Sequence, residues 1–370
     1  MRIGIDARIA STHRGMGRFL RYILEPLLAL ASDDEFYLYM GSDTPGWLPQ
    51  RGNIHVRNIK GRQIPVYEQI YLPHAVAKDD PDVLWCPANT GPVRLRTPVV
   101  VTVHDVIFRH RGTLLPHSSS LYQRIGRAYT DWSATRLCSR AAHVITDSEF
   151  SAREIQDLLH VPQDRLSVIS LGLTLAPTRS RPNETALISM GIDRPFFFFL
   201  GAIDPRKNTD FTVESFLDTA FAGETLLVVA GLGLPERAAL RTKIASHPKA
   251  NSIVLLEFVS DEQLTELYGS CLGFVFSSLY EGFGLPVLEA MHFGAPVLAS
   301  NQSSVPEVGG DAILYFDPRS KEALMQGLSR LHGDSELRSR LSKSGKARSE
   351  QFSWRASAGK LIDTLRSAAK

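Results

Sequence analysis

No stretch of eighteen consecutive apolar residues occurs in this 370-residue chain, so an ordinary membrane-spanning helix is not expected. The opening residues, Met1-Arg-Ile-Gly-Ile-Asp6, put charge and a glycine where a secretory signal would be apolar. Cysteine is scarce: Cys86, Cys138 and Cys271 are the three, too far apart for metal-ligand spacing and too few for a disulfide framework. A reducing cytoplasm fits that usage. Net charge is only +2, which gives no argument for a nucleic-acid partner. No internal repeat of roughly 20–50 residues is visible, so an array or solenoid is excluded. One Asp-x-Asp triplet, Asp80-Pro-Asp82, has the form of a divalent-metal motif, but a proline between the acids ahead of a strand is turn chemistry. With no His/Cys/carboxylate cluster elsewhere, no metal is expected.

What is present is a soluble composition, 44% hydrophobic and 22% charged, on a chain too long for one compact core. Strand-like runs at 2–6, Phe36–Met40, Ile54–Val56, Val83–Cys86, Val99–Val103 and His143–Thr146 alternate with amphipathic segments near 18–30, 64–77, 118–140 and 148–159. The alternation restarts after a polar, proline-containing stretch, Ala176–Asn183, read as a linker. Strands then follow at Phe196–Leu200, Leu226–Ala230, Ile253–Leu256, Phe274–Phe276, Pro296–Ala299 and Ile313–Phe316, with helices between. Such alternation predicts two α/β domains, each a parallel sheet covered on both faces. The expected boundaries are 1–175, 185–352 and a terminal helical segment, 353–370.

The densest chemistry lies in Ser277–Gly294, SSLYEGFGLPVLEAMHFG. A buried strand ends at Phe276, a loop with Glu281-Gly282-Phe283-Gly284 follows, and Pro286 suits a first helical turn. The helix should stop at Gly294. Strand, glycine-rich loop and helix aim free backbone N–H groups at an anion. Glu281 and Glu289 frame the loop, and a carboxylate there repels phosphate but accepts hydrogen bonds from neutral hydroxyls, as a sugar or ribose offers.

Directly after the strand Phe196–Leu200 comes Gly201-Ala-Ile-Asp-Pro-Arg-Lys-Asn208. A cation pair, Arg206 and Lys207, at the carboxyl end of a parallel strand sits where doubly wound sheets bind ligands. Arginine forks onto two phosphate oxygens and lysine adds a point charge; surface charge capping a helix is the plainer alternative. His104 and Asp105 end the strand Val99–Val103, where His104 suits a base, a ligand or a satisfied buried side chain. Arg14-Gly15-Met-Gly17-Arg18 precedes a helix and lets backbone approach a phosphate, although it lacks the third glycine of G-x-G-x-x-G. A tight turn would use the same glycines. Arg14, Arg18, Arg21, Arg124 and Arg127 suit either an anionic membrane surface or a solvated helix face.

Glu281-Gly-Phe-Gly-Leu-Pro-x-x-Glu289-Ala resembles the E-x7-E signature of the retaining nucleotide-sugar glycosyltransferases of family 4, which have the GT-B fold: two Rossmann-like domains facing a central cleft. The resemblance implies that Glu289 binds the ribose hydroxyls and that Glu281 contacts the transferred sugar. It implies that the amides of Gly282, Phe283, Gly284 and Leu285 meet sugar and diphosphate. Lys207 and Arg206 would hold the diphosphate, although the family arginine more often stands where this chain has Ala202. His104 would contact the donor sugar, with Asp105 and Arg14 on the acceptor side and Gly15 and Gly17 across from the diphosphate. Glu257-Phe-Val-Ser-Asp261 resembles the segment whose backbone, around Val259, recognises the base, but Glu257 replaces the usual glycine. In this fold the terminal helix crosses back to the first domain.

The implied reaction moves a hexose from a nucleoside-diphosphate sugar to an acceptor hydroxyl with retained anomeric configuration, without a metal or other cofactor. The sub-pattern Asp-Pro-Arg-Lys-Asn with Ser-Leu-Tyr-Glu-Gly-Phe-Gly looks most like bacterial mannosyltransferases that build lipopolysaccharide O-chains or exopolysaccharides. GDP-mannose is thus the first donor expected and a lipid-linked saccharide the acceptor, met by a cytoplasmic enzyme peripheral to the inner membrane face. UDP-glucose or another donor, and a nucleotide-sugar epimerase on the same fold, are the competing readings.

Overall fold

The structure, a computed structural model, describes the chain except residues 13–14, 42–43, 60, 62, 111–113, 115–120 and 176–183. The linker expected at Ala176–Asn183 therefore lies outside the described residues. The chain forms two compact units: most of the sequence up to Thr174 together with Phe352–Lys370, and Leu175–Gln351.

In the first unit seven strands, β1 (Arg2–Asp6), β2 (Glu35–Met40), β3 (Ile54–Asn58), β4 (Val83–Cys86), β5 (Val99–Thr102), β6 (His143–Thr146) and β7 (Leu166–Val168), form one sheet in the order β3-β2-β1-β4-β5-β6-β7. Every pairing is parallel. The physical reason is visible in the strands themselves. Val83–Cys86 and Val99–Thr102 are buried along their whole length, and only a sheet covered on both faces uses unbroken apolar runs. The three-residue β7 was not expected from sequence, because Leu-Ser-Val carries no run of its own.

Helices Met16–Leu30, Leu121–Arg140 and Glu149–Leu159 connect these strands. Between β3 and β4 the chain departs from the single amphipathic helix expected over 64–77. Tyr67–Tyr71 is a π-helical insert between Ile64–Val66 and Leu72–Asp79. The wider turn brings Glu68 into the interior, fully buried. The helix expected over 118–140 begins, within the described residues, at Leu121.

The terminal helix Trp354–Ala368 packs on Met16–Leu30 in this unit. It buries Leu361, Ile362 and Leu365, while the Trp354 indole donates to the Leu173 carbonyl at 2.7 Å. Gly172 allows the approach, since a Cβ there would meet the Trp354 nitrogen at 2.4 Å.

The second unit repeats the scheme with six parallel strands: β8 (Phe196–Leu200), β9 (Leu226–Ala230), β10 (Ile253–Leu255), β11 (Gly273–Phe276), β12 (Val297–Ser300) and β13 (Leu314–Phe316). Their order is β10-β9-β8-β11-β12-β13. Chain direction across the sheet reverses between β8 and β11, and at the carboxyl ends of such a pair a doubly wound sheet leaves a crevice. Phe197, Phe199, Phe216 and Leu328 are part of the core beneath it.

Candidate functional site

The crevice of the second unit is built by two loops that leave neighbouring strands. After β8, Gly201 donates its amide to Ala230 at 2.9 Å, and the Asp204 carboxylate accepts from the Arg206 amide at 3.1 Å. That bond caps a single 3-10 turn, Pro205–Lys207, and so fixes where the two cations begin. After β11, the amide of Leu279 donates to the Arg206 carbonyl at 2.7 Å. The Ser277 hydroxyl donates to the Lys207 carbonyl at 3.2 Å. The loops are thus stitched together by backbone and hydroxyl contacts before any charge is considered.

Across this seam Glu281 meets both cations. Its Oε1 lies 2.6 Å from Lys207 Nζ and its Oε2 lies 3.0 Å from Arg206 Nη1. Arg206 also donates to Asp204 Oδ2 at 2.8 Å and to the Tyr280 carbonyl at 3.2 Å. Burial alone would raise the Glu281 pKa, but the charges of Lys207 and Arg206 outweigh it and hold this carboxyl below its ordinary range. Glu281 is anchored from behind as well. Its amide donates to Ser303 Oγ at 3.0 Å, and Ser304 Oγ donates to the carbonyls of Glu281 and Phe283 at 2.9 and 2.8 Å.

Gly284, at φ +108°, turns the chain into the helix Leu285–His292, with Pro286 in the first turn and Gly294 at φ +78° just past its end. A non-glycine residue would be strained at Gly284. Gly282, Phe283, Gly284 and Leu285 therefore lead directly into a helix N-terminus beside the cation pair. Glu289 lies one turn inside that helix, 3% exposed. Val259 stands in the loop after β10, two strands from β8 along the same edge. In that loop the Glu257 carboxylate is paired with Arg237, and the Glu257 carbonyl accepts from the Gly231 amide at 3.1 Å.

The remaining expected residues belong to the first unit. His104 follows β5, and each of its ring nitrogens faces an acceptor: Nδ1 is 2.7 Å from Asp147 Oδ2 and Nε2 is 3.0 Å from the Pro87 carbonyl oxygen. Burial pulls the His104 pKa down, yet the Asp147 carboxylate and the Pro87 carbonyl carry it above its ordinary value. Because a carbonyl only accepts, Nε2 carries a proton and is no free base in this arrangement. Asp105 accepts from the Ile107 amide at 3.1 Å in a tight turn.

Gly15 caps the helix Met16–Leu30 at φ +52°, and a Cβ on Gly17 would meet the Thr12 carbonyl oxygen at 2.0 Å. Phe19 of that helix sets its ring edge-on to His104, with centroids 4.7 Å apart. The structure thus brings Gly15, Gly17 and His104 to the same edge of one sheet, after β1 and β5, with β4 between them. Arg14 lies outside the described residues. Asp80 and Asp82 are ordinary turn residues: Asp80 pairs with Arg2 at 3.1 Å, and Asp82 accepts the Arg2 amide at 2.7 Å.

Sequence reasoning passed over several partners. Asp147 follows β6 as His104 follows β5, so the strand-end rule applied to one would have found the other. Asp204 had a signal too, an Asp two residues ahead of the amide it caps. Ser303 and Ser304 had none. A buried network at the end of β1 was also unforeseen. There Arg8 is paired with Asp6 at 3.1 Å and with Glu68, while Thr90 Oγ1 donates to Glu68 at 2.5 Å and Tyr129 also bonds Glu68.

The family described as Glycosyltransferase Family 4 matches residues 15–176, and Glycosyl transferases group 1 matches residues 189–348. O-antigen chain mannosyltransferase B of Escherichia coli is 31% identical over 231 residues, which are 61% of this chain and 61% of that protein. Serotype-specific mannosyltransferase WbdA of Escherichia coli is 28% identical over 232 residues, 60% of this chain and 28% of that protein. The matched region therefore spans less than two thirds of either relative. Among solved structures, Alr3699/HepE of Anabaena, in complex with UDP and glucose, superposes with a TM-score of 0.74 at 17% identity, over 99% of this chain and all of that one. At that identity the likeness is one of fold.

Proposed function

This chain belongs to the family 4 glycosyltransferases of the GT-B fold, and from that premise we propose that it transfers a hexose from a nucleoside-diphosphate sugar to a saccharide hydroxyl with retention of configuration. The observation that carries the reading is the joining of Arg206 and Lys207 to the loop and helix N-terminus of Gly282–Leu285 at the point where strand order reverses. Two cations beside a helix N-terminus suit a diphosphate. Glu281 and Glu289 suit hydroxyls of the sugar and ribose attached to it.

The chemistry then needs no protein nucleophile. The bond between the anomeric carbon and the β-phosphate oxygen breaks, and negative charge collects on that oxygen. Lys207 and Arg206 stabilise it. The acceptor hydroxyl attacks on the same face, forming the new glycosidic bond, and its proton passes to the departing phosphate. Fixed cations serve this leaving group without a metal.

Mannose from GDP-mannose is the donor we favour, on the strength of the mannosyltransferase relatives and the Asp-Pro-Arg-Lys-Asn pattern. A lipid-linked saccharide is the proposed acceptor. Among the described residues no helix is long and apolar enough to cross a membrane. Exposed Leu121, Tyr122 and Ile125, with Arg124 and Arg127 in the same two turns, offer the apolar and basic groups that a peripheral contact with anionic lipid requires.

A thermal-shift screen against GDP, UDP, ADP and dTDP and their sugars, with and without EDTA, tests the donor reading. Binding to the native state raises the midpoint. A selective, EDTA-insensitive shift with GDP and GDP-mannose supports it; a shift confined to UDP compounds would replace mannose as the donor. Turnover of donor without acceptor would favour an epimerase.

A further inference from the structure

The carboxylate that best fits the transferred sugar is also the anion held by the cations that best fit the diphosphate. Both Glu281 oxygens are engaged, Oε1 by Lys207 at 2.6 Å and Oε2 by Arg206 at 3.0 Å. The group is enclosed, its side chain 10% exposed. With Asp204 on Arg206 at 2.8 Å, the cluster contains two carboxylates and two cations. Its formal charge is zero. Two fixed cations that already share two carboxylates exert little net pull on an arriving diphosphate, and a second anion drawn against Glu281 meets direct repulsion.

We infer that Glu281 is an internal competitor of the diphosphate for Arg206 and Lys207, and that this competition sets how tightly the enzyme holds donor relative to product. The inference rests on the donor-site reading above. An intact nucleotide sugar compensates Glu281 when the diphosphate takes over the cations, because a sugar hydroxyl can donate to the released carboxylate. A free nucleoside diphosphate offers no such hydroxyl at that place. The same carboxylate therefore favours sugar-bearing nucleotide over the spent one. It returns to the cations as product leaves, which helps the step that so often limits turnover.

Anchoring of the loop supports this role. The Glu281 amide and carbonyl are fixed by Ser303 and Ser304, so only the side chain has to swing between cations and sugar. Nothing in the backbone must move for the exchange.

The test is calorimetric titration of the full chain with each nucleoside diphosphate and with its sugar, for wild type, Glu281→Gln and Glu281→Asp. Glutamine keeps the volume and removes the charge; aspartate keeps the charge but draws it back from the cations. Glu281→Gln is expected to bind the free diphosphate at least tenfold more tightly than wild type while binding the nucleotide sugar no more tightly. Glu281→Asp should move the ratio in the same direction by a smaller factor, and it decides the matter if the glutamine variant does not fold. An unchanged or weakened affinity for the free diphosphate in the folded variants overturns the inference, with the donor site left standing by wild-type binding. If wild type binds none of the four diphosphates, the donor site itself falls and this role with it.

Discussion

Lys207 Nζ lies 2.6 Å from Glu281 Oε1 although the residues are 74 positions apart and follow different strands. Parallel topology makes the meeting possible. β8 and β11 are hydrogen-bonded neighbours, with Phe199 opposite Val275, so whatever follows them emerges at one edge a strand spacing apart, about 4.8 Å. The Lys207 ammonium also lies over the Phe276 ring, 5.2 Å from its centroid.

Replacing Lys207 with alanine should lower kcat by well over tenfold with little change in melting temperature. In the proposed mechanism the lost charge acts on the leaving group, while Glu281 keeps Arg206 as a partner at 3.0 Å, so no carboxylate is left unpaired. Steady-state kinetics with the donor identified by the binding screen checks this. A loss below tenfold, about 1.4 kcal/mol, would mean that Lys207 does not face the diphosphate.

Glu289→Gln is expected to act on binding instead. Glutamine fills the same buried space but presents a weaker acceptor to ribose hydroxyls, so the donor Kd should rise by about tenfold, with kcat less affected than in Lys207→Ala. Unaltered donor affinity in a folded variant would take Glu289 out of the ribose role.

The His104–Asp147 pair gives stability that depends on pH. Whichever atom carries it, the folded pair keeps one proton above pH 6.5, because its acceptors raise His104; the unfolded chain loses that proton near 6.5. The native state thus binds more protons there, and stability falls as pH rises from about 6.5 through the raised value. Asp147→Asn should flatten this decline. Denaturation midpoints at pH 6 and pH 8.5 decide it: equal pH slopes in wild type and variant would show that the pair does not hold the proton.

A methyl group at Gly17 has no room. Its Cβ would lie 2.0 Å from the Thr12 carbonyl oxygen, and that contact is backbone, so the helix start must shift. Gly17→Ala should cost about 1–3 kcal/mol, read by chemical denaturation. A neutral effect would mean that the turn before the helix relaxes freely.

Leu365→Ala tests the seat of the terminal helix. Leu365 is fully buried, and emptying such a site costs about 2–5 kcal/mol. The loss should appear in the unfolding of the first unit, where Trp354 and Arg366 are also tied, to Leu173 and Asp34. Protection of Leu173 and of the Met16–Leu30 amides against hydrogen exchange should fall with it.

The sequence by itself determined the α/β class, nearly every strand and the second unit's principal loop. Short unbroken apolar runs such as Phe196–Leu200, bounded by Pro195 and Gly201, fit strands buried on both faces, and Gly284, Pro286 and Gly294 mark a helix start and stop by local backbone rules. Those signals are short-range, so one dimension suffices to read them. Tertiary structure alone decided which charges meet. That Glu281 bridges Arg206 and Lys207 depends on β8 and β11 becoming neighbours; that His104 has both nitrogens engaged depends on Asp147 and Pro87 arriving from other strand ends. Tertiary packing likewise chose the π-helical turn that sinks Glu68 beside Arg8, against the regular helix that its apolar spacing favours. Pairings of this kind are set by loop closure and packing between residues distant in the chain, and no local pattern encodes them.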